Sequence, residues 1–85
     1  MGNQTLIISN LPANCDEAWL RRESRHPERI VSVTVMRPDD VDRHGLTLVV
    51  ELAGDRSYAD NLVSRFHGAT IGGREVRLYA PIFGG

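Results

Sequence analysis

The residues in this chain that are capable of acid–base, nucleophilic or metal chemistry are few and scattered. They are the single cysteine Cys15 and three histidines, His26, His44 and His67, none of which has an acid at a recognisable spacing. Asp39, Asp40 and Asp42 lack the glycine and the distal glutamate of a calcium loop, and Gly72-Gly73 is not followed by the lysine and helix of a phosphate-binding loop. We therefore expect no catalysis, no metal site, no cofactor and no small-molecule substrate.

Residues that could bind a ligand are more numerous, and they are the arginines and a few aromatic side chains. The ten basic residues are all arginine, and against eleven acids they leave a formal charge of -1, which argues against strong non-specific affinity for nucleic acid or membrane. The aromatic residues are Trp19, Tyr58, Phe66, Tyr79 and Phe83. Trp19 and Phe66 fall on the apolar sides of predicted helices, and Tyr58 is expected to pack at the periphery. Tyr79 and Phe83 therefore remain available for a ligand.

The size of the chain limits the architecture that can position these residues. Eighty-five residues suit a single domain, which we place at 1–85 with a core over about 5–81 and a flexible tail over 82–85. The lone cysteine and the lack of an apolar leader or membrane-spanning run favour an intracellular location, in the nucleus, the cytoplasm or an organelle.

Four short segments have the pattern of strands. They cover 5–9, 30–36, 46–53 and 75–79, and each is rich in β-branched residues or alternates between apolar and polar positions. In the second strand, the alternation predicts that Val31, Val33 and Val35 share the buried face. In the third strand, the even-numbered residues from Leu46 to Leu52 are predicted to share one face of the sheet. The odd-numbered residues between them, Thr47, Val49 and Glu51, are predicted to lie on the opposite face.

Two helices are expected between these strands. Asn14 and Glu17 have capping-box spacing, which predicts a helix over about 15–25. A second helix starts after Asp55 and ends near Gly68, with a stripe at positions 59, 62, 63 and 66. The segment 37–45 is rich in proline, aspartate and glycine, so we predict a loop there.

The resulting order is βαββαβ. At this length it predicts an α+β, ferredoxin-like sandwich, in which a four-stranded antiparallel sheet carries both helices on one face. The other face of the sheet is then open, and it is the natural place for a ligand. The order alone does not identify that ligand, because many functions share this fold.

Three segments resemble the RNA recognition motif (RRM) family over nearly the whole chain. Leu6–Leu11, followed by Pro12, is similar to the first-strand signature, and Gly45–Leu52 is similar to the third-strand signature. Phe66-His67-Gly68 through Gly73–Leu78 is similar to the family's closing segment. The resemblance implies a non-catalytic RRM-like module that binds single-stranded RNA on the open face.

The chain departs from this family where bases are stacked. The resemblance implies aromatic rings at three positions, which are Ile7, Thr47 and Val49 here. The chain therefore resembles an atypical member that lacks the aromatic residues of the first-strand and third-strand signatures, which are known as the RNP motifs. The first position of the third-strand signature is usually basic, but it is Gly45 here, with Arg43 and His44 just before it. We therefore expect weak or atypical RNA binding.

Two functional hypotheses follow from this sequence. In the leading one, single-stranded RNA contacts the fourth strand, the loop between strands two and three, and the C-terminal tail. Its candidate residues are Ile7, Arg37, Arg43, His44, Thr47, Val49, Arg77, Tyr79 and Phe83. In the alternative, the domain binds a protein through the apolar sheet face or the helical side, without RNA. The peptide-binding subclass of the family has an Arg-x-Phe motif, which Ala69-Thr70-Ile71 does not match.

Overall fold

The computed structural model describes residues 3–54 and 56–80, and it confirms the predicted α+β sandwich. Its four-stranded antiparallel sheet has the strand order β2-β3-β1-β6, and a separate two-stranded hairpin pairs β4 with β5. In chain order the elements are β1 (Gln4–Leu11), α1 (Glu17–Glu23), a 3₁₀ turn (Pro27–Arg29), β2 (Ile30–Met36), α2 (Val41–His44), β3 (Leu46–Leu52), α3 (Arg56–Phe66), β4 (Thr70–Ile71), β5 (Arg74–Glu75) and β6 (Arg77–Tyr79).

The core lies between the sheet and the helices, and β3 shows most clearly how the sequence builds it. Leu46, Leu48, Val50 and Leu52 are all buried, whereas the residues between them are half-buried or exposed. Ala59 and Leu62 of α3 and Leu20 of α1 close the core from the helical side. The period-2 pattern of β3 is therefore confirmed. In the predicted stripe of α3, Ala59 and Leu62 are buried, whereas Val63 and Phe66 are partly buried and pack against the core.

The predicted faces of β2 are wrong at its start, because the strand contains a β-bulge. Ile30 lies opposite Leu52 and Ser32 lies opposite Glu51, so Val31 is an extra residue without a partner position. Ile30 is consequently buried, whereas Val31 is 49% exposed.

Val35 does share the helix-side face, since it lies opposite the buried Leu48, yet it is 40% exposed. Helix α1 has seven residues and is roughly 10 Å long, whereas a seven-residue strand extends roughly 23 Å. The helix is therefore too short to cover the far end of β2, which is an edge strand of the sheet.

Helix α1 is shorter than predicted and has a different cap. It spans Glu17–Glu23, and the Asp16 carboxylate accepts a hydrogen bond from the backbone N–H of Trp19 at 3.2 Å. The backbone N–H of Cys15 instead donates to the carbonyl of Pro12, which forms a turn just before the helix. This turn takes up the residues where the Asn14 cap was expected.

Two further differences lie between the strands. The predicted loop contains the one-turn helix α2, which the Asp40 side chain caps through the backbone N–H of Arg43. The predicted fourth strand is shorter, because Glu75 belongs to the β4–β5 hairpin and only Arg77–Tyr79 joins the sheet. Asp55, the expected cap of α3, lies outside the described residues.

None of the helices within 3–54 and 56–80 has the length and hydropathy that crossing a membrane requires.

Candidate functional site

The open face of the sheet is formed by the strand residues that alternate with the core. Its residues line up in rows, because residues directly opposite each other in paired strands share a face. The central row runs across all four strands as Tyr79, Ile7, Val49 and Thr34. One side of it has Thr5, Glu51 and Ser32, and the other side has Arg77, Ser9, Thr47 and Met36. Five of the predicted site residues are therefore brought together on one surface: Ile7, Thr47, Val49, Arg77 and Tyr79.

Tyr79 is the aromatic residue of this face among those described. Its side chain is 53% exposed at the β6 edge, and its strand partner is Ile7. Ile7, Thr47 and Val49, the positions where the resemblance implies stacking rings, are each half-buried between their neighbours. The face thus offers one exposed ring at its edge and, at these three positions, half-buried side chains without a ring.

Charge is distributed unevenly along the open face. At one end Glu51 lies opposite Thr5 and Ser32, and its carboxylate accepts a hydrogen bond from Asn3 Nδ2 at 3.4 Å. At the other end Arg77 lies opposite Ser9, whose hydroxyl donates to the Arg77 carbonyl at 3.3 Å. An anionic ligand is therefore favoured at the second end, which we call the arginine end.

A shallow groove extends the arginine end beyond the sheet. Predicted residues Arg37, His44 and Thr47 line it, together with Met36, Pro38 and Gly45. The Arg37 guanidinium donates to the Ala13 carbonyl at 3.2 Å, which fixes it at the rim. Arg43 lies in α2 and does not line the groove.

Arg74, which is not among the predicted site residues, holds this end of the molecule together. Its guanidinium donates to the Asp42 carbonyl at 2.8 Å, the Arg43 carbonyl at 3.3 Å and Asn10 Oδ1 at 2.7 Å. Asn10, which has a positive φ of 63°, also donates from Nδ2 to the Glu75 carbonyl at 2.7 Å. We call Arg74 and Asn10 the clamp, because they join β1, α2 and β5.

Gly45 lies directly against the clamp. Its φ is 80°, and a Cβ atom there would lie 2.8 Å from the Asn10 Cα and 3.0 Å from the Arg74 guanidinium. A side chain at this position would push α2 away from β1. The glycine at the basic position of the third-strand signature therefore has a steric reason.

The other chemistry-bearing residues have structural surroundings. Cys15 is buried, and burial first, followed by the nearby Asp16 and Glu23 charges, raises the pKa of its thiol. His67 Nδ1 lies 2.9 Å from the Leu78 carbonyl oxygen and 3.1 Å from the Leu78 backbone nitrogen, so a hydrogen bond of either tautomer ties the end of α3 to β6. Within 3–54 and 56–80, no three His, Cys, Asp or Glu side chains are grouped so as to hold a metal ion.

Sequence reasoning missed part of this site for identifiable reasons. Asn10 and Arg74 are 64 positions apart, so no local pattern predicts their contact at 2.7 Å. Met36 and Pro38 join the groove only because β2 and β3 are paired there. Phe83, the predicted tail residue, lies outside the described residues.

Comparison with known proteins identifies the fold. No family model matches the sequence, and no curated protein matches it. Solved structures do match, and one of them contains RNA recognition domains 1 and 2 of Sex-lethal from Drosophila melanogaster, with a TM-score of 0.69 and 17% identity. The match covers 89% of this chain and 48% of that one, so the chain spans about half the length of the two-domain structure.

The fold is that of an RNA recognition motif. The second RRM of the yeast poly(U)-binding protein Pub1 matches with a TM-score of 0.65 and 21% identity over 93% of this chain and 94% of that one. SR1-RRM1 of Plasmodium falciparum, in complex with ACAUCA RNA, matches with a TM-score of 0.67 and 17% identity over 95% and 86%. At these identities the RRM-like architecture is established for this chain, and its ligand is a separate question.

Proposed function

We propose that this chain is a non-catalytic RRM-like module that binds single-stranded RNA weakly. The RNA contacts are made by β6, the segment 37–45 and the C-terminal tail with Phe83. The observation that carries the proposal is that the exposed Tyr79 ring and Arg77 lie two positions apart on β6 and therefore share the open face. One offers a surface for a base, and the other offers a cation for a phosphate.

The weakness of the proposed binding follows from the centre of the face. A base stacked on an aromatic ring contributes roughly 1–3 kcal/mol, and Ile7, Thr47 and Val49 provide no ring. The side chains at these three positions contribute contact area only. Affinity therefore depends on Tyr79, the arginines and the tail.

The uneven charge of the open face also predicts where the strand lies. Arg77 and Arg37 attract phosphates at the arginine end, where the exposed Asp39, Asp40 and Asp42 offset part of this attraction and keep the binding weak. Glu51 repels phosphates at the other end. Arg43 contributes charge from α2 without lining the groove. We expect the RNA to run from Tyr79 toward the groove.

Fluorescence anisotropy with a labelled pool of short single-stranded RNAs tests the proposal. Tyr79→Ala removes the ring, and we expect affinity to fall between about fivefold and a hundredfold, as for one stacked base. Tyr79→Phe is the matched control, because it keeps the ring and should bind within about threefold of the wild type. Equal affinity for the wild type and Tyr79→Ala contradicts the proposal.

The second candidate function is protein binding through the same face, without RNA. It is favoured by the exposure of Met36, at 55%, together with Tyr79, since apolar patches on a sheet face commonly mark partner sites. Val49→Asp places a charge in the middle of this patch and should abolish partner capture without unfolding the domain. Unchanged capture by this variant contradicts the second function.

A further inference from the structure

A second concave surface lies on the helical side of the domain, and its residues are not among the predicted site residues. It is formed where the connection from α1 to β2 meets α3. We call it the basic groove, and the residues that characterise it are Arg25, His26, Arg29, Tyr58, Asn61 and Arg65. The positions that α3 contributes are spaced by three and four residues, so one face of that helix forms a wall of the groove.

The basic groove concentrates positive charge in a chain that is slightly acidic. Three of the ten arginines line it, and none of its lining residues within the described chain is acidic. Because the whole chain carries -1, the residues outside the groove carry a formal charge of -4. The ion pairs among the described residues are Arg21–Glu17, Arg56–Asp60 and His26–Glu28. Glu28 therefore pairs with the groove histidine, and the three groove guanidinium groups take no part in these pairs.

The side chains of the groove are held in place before any ligand arrives. The Tyr58 hydroxyl forms a hydrogen bond with Ser24 Oγ at 3.0 Å and donates to the His26 carbonyl at 3.4 Å. The Arg29 guanidinium lies over the Tyr58 ring at 5.0 Å, and Arg65 lies over the Phe66 ring at 4.8 Å. Stacking of this kind orients a guanidinium plane and leaves its N–H groups free to donate.

The same contacts make the groove unsuited to bases. Arg29 covers the Tyr58 ring, and the His26 ring meets it edge-on at 5.9 Å with an interplanar angle of 70°. Bases in single-stranded RNA are held mainly by stacking on aromatic faces, and this one is occupied. The groove also lies on the helical side, and the shortest dimension of the molecule is 21 Å, so a short strand on the open face does not reach it.

We infer that the basic groove binds an acidic segment of a protein partner, with aspartate or glutamate carboxylates received by Arg25, Arg29 and Arg65. The arginine fork matches a carboxylate with two parallel hydrogen bonds, which lysine cannot do. Asn61, exposed on the groove face of α3, adds a neutral donor. This inference does not rest on RNA binding by the open face, and both surfaces are able to be occupied together.

The test is a titration of the full chain with a labelled peptide of about eight glutamates at low salt, where such attraction is strongest. Arg29→Gln with Arg65→Gln should weaken binding by at least about tenfold, as expected when two charge-assisted contacts are lost. Arg21→Gln with Arg22→Gln removes the same charge from α1, outside the groove, and should bind the peptide within about twofold of the wild type. Thermal unfolding of each variant verifies that it is folded.

A second variant keeps every arginine in place. Asn61→Asp adds a carboxylate to the groove at an exposed helix position, and we expect it to weaken peptide binding by about fivefold through repulsion. Equal losses in both double variants overturn the inference, because they indicate attraction by net charge alone. Absence of peptide binding at millimolar concentration also overturns it. A labelled oligouridine is titrated in parallel with the peptide. If Arg29→Gln with Arg65→Gln loses more affinity for oligouridine than for the peptide, the inference is also overturned, because the groove is then a site for the RNA backbone.

Discussion

The open face and the basic groove are two surfaces of the same small domain that differ in shape, charge and origin. The open face is nearly neutral, with the Tyr79 ring at one edge. The groove is concave and lined by three arginines, and its aromatic ring is already covered by one of them. Our two proposals follow this difference, with bases contacting the sheet and carboxylates bound on the helical side. An RRM-like fold without stacking rings thus still offers two chemically distinct surfaces.

The largest effect we expect separates the two faces of strand β3. Leu48→Ala should lower the free energy of unfolding by about 2–5 kcal/mol, because this side chain is fully buried and its removal leaves a cavity. Val49→Ala, at the next position on the open face, should cost less than about 1 kcal/mol. Urea denaturation of both variants measures the difference. Equal costs contradict the assignment of the faces.

A gain-of-function variant tests whether the RNA affinity of the open face is low only because the face lacks aromatic rings. Val49→Phe restores a ring in the central row beside Ile7, and RNA affinity should rise by the equivalent of roughly 1–3 kcal/mol. Val35→Phe is the matched control, because it adds the same ring to an exposed position on the helix-side face. Anisotropy titrations with the same RNA pool compare the two. A similar rise in both variants indicates non-specific apolar contact and contradicts the account.

The smallest effect concerns the clamp, which supports the open face and not the groove. Arg74→Ala removes three hydrogen bonds to β1 and α2 and should cost about 1–2 kcal/mol of stability. It should also weaken RNA binding, because α2 and the arginine end are no longer fixed, while binding of the glutamate peptide stays unchanged. If both affinities of Arg74→Ala fall in parallel, the two surfaces are not independent and the account is contradicted.

Arg77→Ala is the control for stability, because this side chain is exposed on β6. It should change the free energy of unfolding by less than about 0.5 kcal/mol.

Periodicity in the sequence was sufficient for much of the fold. The alternation of β3 predicted which of its side chains are buried, and the stripe of α3 predicted which of its side chains face the core, because burial repeats with the period of each element. The resemblance of three segments to the RRM family agreed with the fold found by structural comparison. The open face also contains the strand residues that the alternation assigned to it, from Ile7 to Tyr79.

The features that sequence reasoning missed depend on contacts between distant residues. The bulge at Val31 exists only relative to β3, so alternation within β2 does not reveal it. The cap of α1 moved to Asp16 because a turn uses the residues just before it. The basic groove brings together Arg29 and Arg65, which are 36 positions apart in the sequence, and no spacing rule connects them.

The most direct test of the central claim is a residue-resolved amide NMR titration with short single-stranded RNA. The account predicts that signals shift for Ile7, Val49, Arg77, Tyr79 and the segment 37–45, while those around Tyr58 and Arg65 stay in place. Shifts confined to the basic groove, or no shifts at millimolar RNA, contradict RNA binding by the open face.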